Sequence, residues 1–189
     1  MNEIKIENIE DLVQMANQAL GMNYLDVDYF NKVINSPVYY SWIIFSETNQ
    51  PIAFLVAYKT SKQEIQNYLT DFSLSNQLDE NTVCFDTMVV LPNERNKGIG
   101  KELIKNAISY FPKNSYIMYA WKNKKIINME SIARFFNFKV LKEYPKLWEE
   151  DCLANKFSCP AKEEGKCSCS TVVYYFSPID KPLFLDSNK

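Results

Sequence analysis

Apolar and polar residues near the N-terminus follow the spacing of amphipathic helices. Apolar side chains recur at helical intervals from Ile9 to Leu20, which predicts a helix that Gly21 ends. The same spacing from Val27 to Ile34 predicts a second helix, and Pro37 ends it because proline cannot continue a helix. Each helix is predicted to pack one apolar face against a core.

Runs of β-branched and aromatic residues predict strands at the start of the chain and along its remainder. The predicted strands cover residues 3–6, 39–46, 52–58, 82–91, 115–121, 139–148 and 171–176. On the fourth of these strands, strict alternation predicts that Cys84, Asp86, Met88 and Val90 share one face. Residues 62–81 are interpreted as an insertion between two strands, which either covers a sheet edge or acts as a lid.

A polar loop follows the fourth predicted strand, holds two of the chain's four glycines and leads into an amphipathic helix. The first backbone N–H groups of a helix have no internal partner, and glycine lets a ligand approach the backbone closely. Gly98 and Gly100 lie where this helix begins, with Arg95, Lys97 and Lys101 around them. The junction is therefore predicted to bind an anion such as phosphate, although a plain strand-to-helix turn would also use glycine.

Two common phosphate-binding loops do not fit this junction. A P-loop needs Gly-Lys followed by Ser or Thr, but Gly100-Lys101 is followed by Glu102. A Rossmann fingerprint needs a third glycine, and Leu103 occupies that position. The junction is therefore a different kind of anion site.

The pattern Arg95-x-x-Gly98-x-Gly100 after an apolar strand resembles the acetyl-CoA-binding signature of the GNAT superfamily of N-acyltransferases. The resemblance implies an α/β (α+β) fold, with a mixed and mostly antiparallel central sheet flanked by helices. It also implies a V-shaped splay between the fourth and fifth strands. We interpret residues 1–189 as a single domain of this kind, with a loosely held tail at 178–189.

The same resemblance implies where acetyl-CoA binds as the cosubstrate. In the family, the loop amides hold the CoA pyrophosphate and the preceding strand hydrogen-bonds the pantetheine arm. The predicted cofactor-binding residues are Met88, Val89, Val90, Arg95, Asn96, Lys97, Gly98, Ile99, Gly100, Lys101 and Asn128. The implied reaction is direct attack of an amine, from a small molecule or a peptide, on the acetyl thioester.

Asp86 is the predicted general base, because it is the only carboxylate on the central strand. A structural, hydrogen-bonded carboxylate is an equal alternative for this residue. Many relatives carry a glutamate two residues earlier, where this chain has Cys84. Tyr24 and Tyr29 are weaker candidates for contact with the acceptor.

Tyr144 is the predicted acid that protonates the leaving thiolate, with Tyr119 and Tyr174 as alternatives. The family often places a tyrosine three residues before a Leu-Gly-Phe ending, to which Phe136-Asn137-Phe138 is similar. Arg134 lies at that position here. The missing tyrosine leaves a second function open, namely a non-catalytic CoA-binding or interaction module.

Four of the five cysteines, Cys152, Cys159, Cys167 and Cys169, lie in the segment 149–170. Clustered cysteines without a secretory signal favour a metal over disulfides, and zinc accepts four thiolates. The spacing Cys-x6-Cys-x7-Cys-x-Cys differs from common zinc knuckles, so a structural zinc ion and free or redox-active thiols are equal alternatives. The segment resembles an insertion in a subset of bacterial GNAT proteins.

Composition excludes several other classes of function. The chain has no histidine, which excludes a Ser-His-Asp triad and any histidine-ligated metal. A net charge of -2 argues against nucleic-acid binding, and no apolar run is long enough to predict a membrane span. The polar N-terminus is unlike a signal peptide, which favours a cytoplasmic protein. Nothing in the sequence indicates an oligomeric state or a particular acceptor.

Overall fold

Helices and strands alternate along a computed structural model that describes residues 3–123, 126–154, 156, 162–163 and 166–178. The helices lie at Ile9–Leu20 (α1), Val27–Asn35 (α2), Lys62–Leu69 (α3), Ile99–Tyr110 (α4), Glu130–Phe135 (α5) and Glu149–Leu153 (α6). The strands lie at Tyr39–Phe45 (β1), Pro51–Thr60 (β2), Thr82–Val90 (β3), Ser115–Asn123 (β4), Ile126–Ile127 (β5), Lys139–Pro145 (β6), Lys162–Glu163 (β7), Lys166–Cys167 (β8) and Ser170–Phe176 (β9). Most predicted elements are therefore present, with ends shifted by a few residues.

One large sheet forms the centre of the molecule. Its strands lie in the order β1-β2-β3-β4-β9-β6, and β5 pairs with β4 at the side of this path. The β3–β4 pair is parallel, and the other described pairs of this sheet are antiparallel. This order confirms the predicted mixed, mostly antiparallel sheet.

Helices cover both faces of this sheet, as their amphipathic patterns predict. Leu103 and Ile108 of α4 pack with α5 on one face. Leu12 of α1 and Phe30 of α2 pack on the other face, where Ile65 of α3 also lies over β4 and β9. The sheet is therefore the middle layer of three, with an apolar core on each side.

The two parallel strands, β3 and β4, diverge along their length. Their pairing begins at Thr82 opposite Ser115 and stops at Phe85 opposite Met118. Both strands continue for several residues beyond that point, so a gap opens between their C-terminal halves. This is the predicted V-shaped splay.

The splay lies between the third and fourth strands, because the predicted strand at residues 3–6 does not form. Residues 3–5 have no regular structure, and a 3-10 turn covers Ile6–Asn8. Ile4 is buried and its N–H donates to Ser41 Oγ over 3.1 Å, whereas Ile6 is exposed. The alternating apolar residues that predicted a strand are therefore Ile4, which is buried, and Ile6, which is exposed.

Candidate active site

Asp86 is the extra residue of a β-bulge in the central strand β3. Val56 of β2 lies opposite Thr87, and the next residue of β2, Ala57, lies opposite Phe85, so the register skips Asp86. A bulge bends its strand and redirects the side chains on either side of it. The bulge coincides with the point where β3 leaves β4, which places Asp86 at the apex of the splay.

The bulge overturns the prediction that Cys84, Asp86, Met88 and Val90 share one face. Met88 and Val90 pack on the α4 side of the sheet. Cys84 packs on the opposite side, under α3, and Asp86 contacts Tyr29 of α2 on that same side. Strict alternation fails because one inserted residue reverses the face of every residue after it.

The Asp86 carboxylate is accessible to solvent but enclosed by protein on several sides. Tyr29 Oη donates to Asp86 Oδ2 over 2.5 Å. Burial raises the pKa of Asp86, and the hydrogen bond from Tyr29 and the charge of Lys32 oppose this only in part. Such a carboxylate binds a proton more readily than an ordinary aspartate, which suits a proton acceptor in a cavity.

A small cavity of about 150 Å³ opens beside Asp86 within the splay. Its aromatic lining residues are Tyr24, Phe85, Tyr119, Trp121 and Trp148. Met88, Met118 and Met129 add to the apolar surface, and Asp86 is the only charged residue among the described residues that line the cavity. Sequence reasoning missed the two tryptophans, because they lie far apart along the chain and line the same cavity only in the fold.

A larger cavity of about 590 Å³ lies next to the first and reaches the start of α4. Ten of the eleven predicted cofactor-binding residues line it, and Lys97 instead pairs with Glu94 over 3.0 Å. The two cavities share Met88, Trp121 and Asn128 as lining residues. They therefore form one path from the N-terminus of α4 through the splay to Asp86.

The N-terminus of α4 presents backbone N–H groups toward this larger cavity. Gly98 caps the helix with a positive φ of 87°, a conformation that favours glycine. The Glu102 N–H donates to Gly98 O over 3.0 Å, which leaves the N–H groups of Ile99, Gly100 and Lys101 outside the helical hydrogen bonds. Unpaired N–H groups at a helix N-terminus are suited to hold phosphate.

Side-chain contacts hold the loop before α4 against the strand. Arg95 Nε donates to the carbonyl of Val90 over 3.1 Å. A Cβ at Gly100 would lie 3.0 Å from Ile132 Cδ1 and 3.3 Å from Met88 Cε, so the helix start packs closely against both residues. The loop therefore has a defined position relative to the splay.

The three tyrosines considered as proton donors lie in different environments. Tyr144 donates to Asp71 Oδ2 over 2.8 Å and is not among the described lining residues of either cavity. Tyr174 is buried on the α4 face of the sheet. Tyr119 lines the smaller cavity, and burial raises the pKa of its phenol well above the usual range. Of the three, Tyr119 is the one that lines a described cavity, and the assignment of the acid stays a prediction.

The cysteine-rich segment adjoins the smaller cavity. Cys152 and Cys169 line that cavity, and Cys167 Sγ lies 3.3 Å from Cys169 Sγ. Cys159 lies outside the described residues. Within the part of the chain that the structure describes, no group of three or more His, Cys, Asp or Glu could hold a metal ion. The zinc site is therefore not supported by these residues and stays a prediction. The fifth cysteine, Cys84, is buried in the core.

Comparison with known families identifies the class of this protein. The model of the acetyltransferase (GNAT) family matches residues 7–138, which is more than half of the chain. The protein therefore belongs to the acetyltransferase (GNAT) family. The match ends before the cysteine-rich segment, so the resemblance of that segment to a subset of the family stays a prediction. No curated protein shows a significant sequence match to the chain.

Solved structures with this fold include two eukaryotic proteins. NAA60 of Arabidopsis thaliana in complex with a bisubstrate analogue has a TM-score of 0.69 at 14% identity, over 93% of this chain and 95% of that one. NAA60 in complex with acetyl-CoA has a TM-score of 0.66 at 14% identity, over 93% and 96%. Naa20 of Chaetomium thermophilum with a bisubstrate analogue has a TM-score of 0.66 at 12% identity, over 100% and 93%. At these identities the likeness shows the fold alone.

A membrane-spanning helix is not found among the described residues, since each helix there is too short or too polar for a bilayer. The longest described helices, α1 and α4, each have 12 residues. Both use their apolar faces to cover the central sheet.

Proposed function

We propose that this protein is an acetyl-CoA-dependent N-acetyltransferase that transfers an acetyl group to an amine of a small molecule or a peptide. The observation that carries the proposal is the continuous path from the N-terminus of α4, through the splay, to Asp86. One end of this path is suited to phosphate, and the other end holds a carboxylate with a raised pKa. The two ends match the two substrates of an acetyl transfer.

The residues of the larger cavity fit acetyl-CoA, which supplies the acetyl thioester when it is bound. The N–H groups at the start of α4 would hold the pyrophosphate, with the cations of Arg95 and Lys101 nearby. The end of β3, from Met88 to Val90, and Asn128 would hold the pantetheine arm in the splay. A Cβ at Gly98 would meet no atom within 4 Å, which leaves the space beside the loop open for a ligand.

Asp86 is proposed to take the proton that an attacking ammonium must lose, directly or through one water. Tyr29 orients the carboxylate through its hydrogen bond, and burial raises the pKa of Tyr29 well above its usual range, so it remains a donor. Tyr119 Oη also keeps its proton at neutral pH and is the proposed donor to the leaving sulfur.

A non-catalytic CoA-binding or interaction module is the second candidate function. The family's usual glutamate and tyrosine are absent from their usual positions, where this chain has Cys84 and Arg134. The cysteine-rich segment, with or without zinc, would then contact a partner. The position of Asp86 in an open cavity favours the enzyme, because a purely structural carboxylate needs no access to a ligand.

Calorimetry with CoA, combined with an assay of free CoA thiol released from acetyl-CoA, tests the proposal. We expect that CoA binds and that thiol release depends on added amine across a panel of amines and short peptides. Binding without amine-dependent release would support the non-catalytic module. Failure of CoA to bind would contradict both candidate functions.

A matched pair of tyrosine variants tests the proton donor. Tyr119→Phe removes a hydroxyl at the cavity wall, and we expect kcat to fall by about 100-fold. Tyr144→Phe removes only the hydrogen bond to Asp71, so we expect an unchanged kcat and a lower Tm. The steady-state rate and the thermal unfolding midpoint are measured for both. The reverse pattern would return the role of acid to Tyr144.

A further inference from the structure

The residues that line the small cavity restrict the chemical class of the acceptor further than membership of the family does. We infer that the acceptor is a small primary amine with one positive charge and a flat, apolar body, rather than a free amino acid, an amino sugar or a peptide. This inference rests on the proposed function and specifies its acceptor. Its basis is the combination of one carboxylate, a wall of aromatic rings and a small volume in the cavity beside Asp86.

Charge is the first restriction. Asp86 can pair with the ammonium of an acceptor, but the described lining residues include no lysine or arginine. Lys122, next to the lining residue Trp121, pairs with Glu143 over 2.6 Å. Lys32, whose charge lowers the pKa of Asp86, lies 5.1 Å from the ring of Tyr39 and is not a described lining residue. Among the described residues that line the cavity, a carboxylate on the carbon next to the amine would therefore find no cation, and burying it unpaired is costly.

The shape and polarity of the wall are the second restriction. Trp148 Nε1 donates to Tyr68 Oη over 2.9 Å, so its one polar group is already used outside the cavity. The ring of Tyr68 lies 5.1 Å from that of Tyr119, which lines the cavity. Trp148 and Tyr119 therefore line the cavity and are connected to each other through Tyr68. Their apolar faces are available to a ligand, and aromatic faces also attract cations.

Limited polar groups and limited volume are the third restriction. The described polar lining residues apart from Asp86 and the aromatic side chains are Thr87 and Asn128, together with Cys152 and Cys169. The hydroxyls of an amino sugar would find few partners there, and each unpaired group weakens binding. A volume of about 150 Å³ also suits a small molecule better than several residues of a peptide.

Closely matched amines test this inference in the CoA-release assay. 2-Phenylethylamine and L-phenylalanine differ only by the carboxylate, so we expect kcat/KM for the former to be larger by about 100-fold or more. Glucosamine and a tetrapeptide with a free N-terminus are expected to react more slowly than 2-phenylethylamine. A higher kcat/KM for L-phenylalanine, glucosamine or the peptide would overturn the inference and leave the proposed function intact.

Variants of Trp148 test the aromatic wall separately. Trp148→Ala is expected to raise KM for 2-phenylethylamine by about 10-fold, at the scale of one aromatic contact, with KM for acetyl-CoA unchanged. Trp148→Phe retains a ring and should restore most of the affinity. An unchanged KM in Trp148→Ala would contradict the role of the wall. CoA binding without release for any amine would overturn the inference together with the proposed enzyme.

Discussion

Replacing Asp86 by asparagine is expected to lower kcat by about 10²–10⁴-fold, the range of a lost general base. The amide is similar in size and can still accept the hydrogen bond from Tyr29, but it cannot take a proton from the amine. CoA affinity should not change, because Asp86 lines the smaller cavity and is not among the described residues that line the larger one. Steady-state rates and calorimetry with CoA measure the two effects separately.

The pH dependence of the rate gives a second readout of Asp86. A base must be ionised to act, so activity rises with pH as Asp86 loses its proton. Burial raises the pKa of Asp86, which moves this rise upward from the ordinary aspartate value of about 3.9. We expect the rise in kcat/KM that belongs to Asp86 to disappear in Asp86→Asn.

The thermal stability of Asp86→Asn distinguishes a catalytic role of Asp86 from a structural role. Because the pKa is higher in the folded state, folding favours protonated Asp86, and that contribution is lost as pH rises through the folded pKa. At pH 7 the ionised carboxylate therefore opposes folding, and Asp86→Asn should have a Tm equal to or above that of the wild type. A lower Tm with full activity would show that Asp86 is structural. Asp28→Asn, at an exposed site in the first turn of α2, is the matched control.

Replacing Gly98 by valine is expected to abolish measurable CoA binding. Gly98 has φ of 87°, which a β-branched residue adopts only at a substantial cost in free energy. A side chain there would also project beside the N–H groups that are proposed to hold the pyrophosphate. Calorimetry with CoA measures the loss, and circular dichroism shows whether the fold is retained.

Gly98→Asn distinguishes two causes of lost CoA binding, namely backbone strain at residue 98 and a side chain that blocks the pyrophosphate site. Asparagine tolerates a positive φ, as Asn96 and Asn137 do in this protein at 64° and 57°. If the N–H groups at the start of α4 hold the pyrophosphate, the asparagine side chain still occupies the space beside them. We therefore expect weaker CoA binding with an unchanged Tm. If both Gly98→Asn and Gly98→Val bound CoA with wild-type affinity, the pyrophosphate would not bind at the start of α4.

Local features of the fold could be predicted from the sequence because the forces behind them act over a few residues. The apolar stripe of α4 and the two glycines before it indicate the start of a helix and an anion site. Asn137 stands where the similar Leu-Gly-Phe ending has glycine, and its left-handed φ of 57° fits that similarity. The predicted strand at residues 3–6 failed because its alternation was too short to be decisive.

Contacts between distant parts of the chain could not be predicted in this way. Tyr144 was predicted as the acid from the sequence, but its hydrogen-bond partner, Asp71, lies 73 residues away along the chain. Trp121 and Trp148 belong to β4 and to the turn before α6, and they line one cavity only because the sheet brings these segments together.

The sequence by itself determined the order of the elements and the glycine-containing junction where α4 begins. Both depend on neighbouring residues, so a periodic pattern and two glycines are enough to indicate them. Only the tertiary structure decided which face of β3 carries Asp86 and which rings enclose it. The bulge that turns Asp86 away from Met88 exists only in the pairing of β2 with β3, and the cavity exists only where β3 leaves β4.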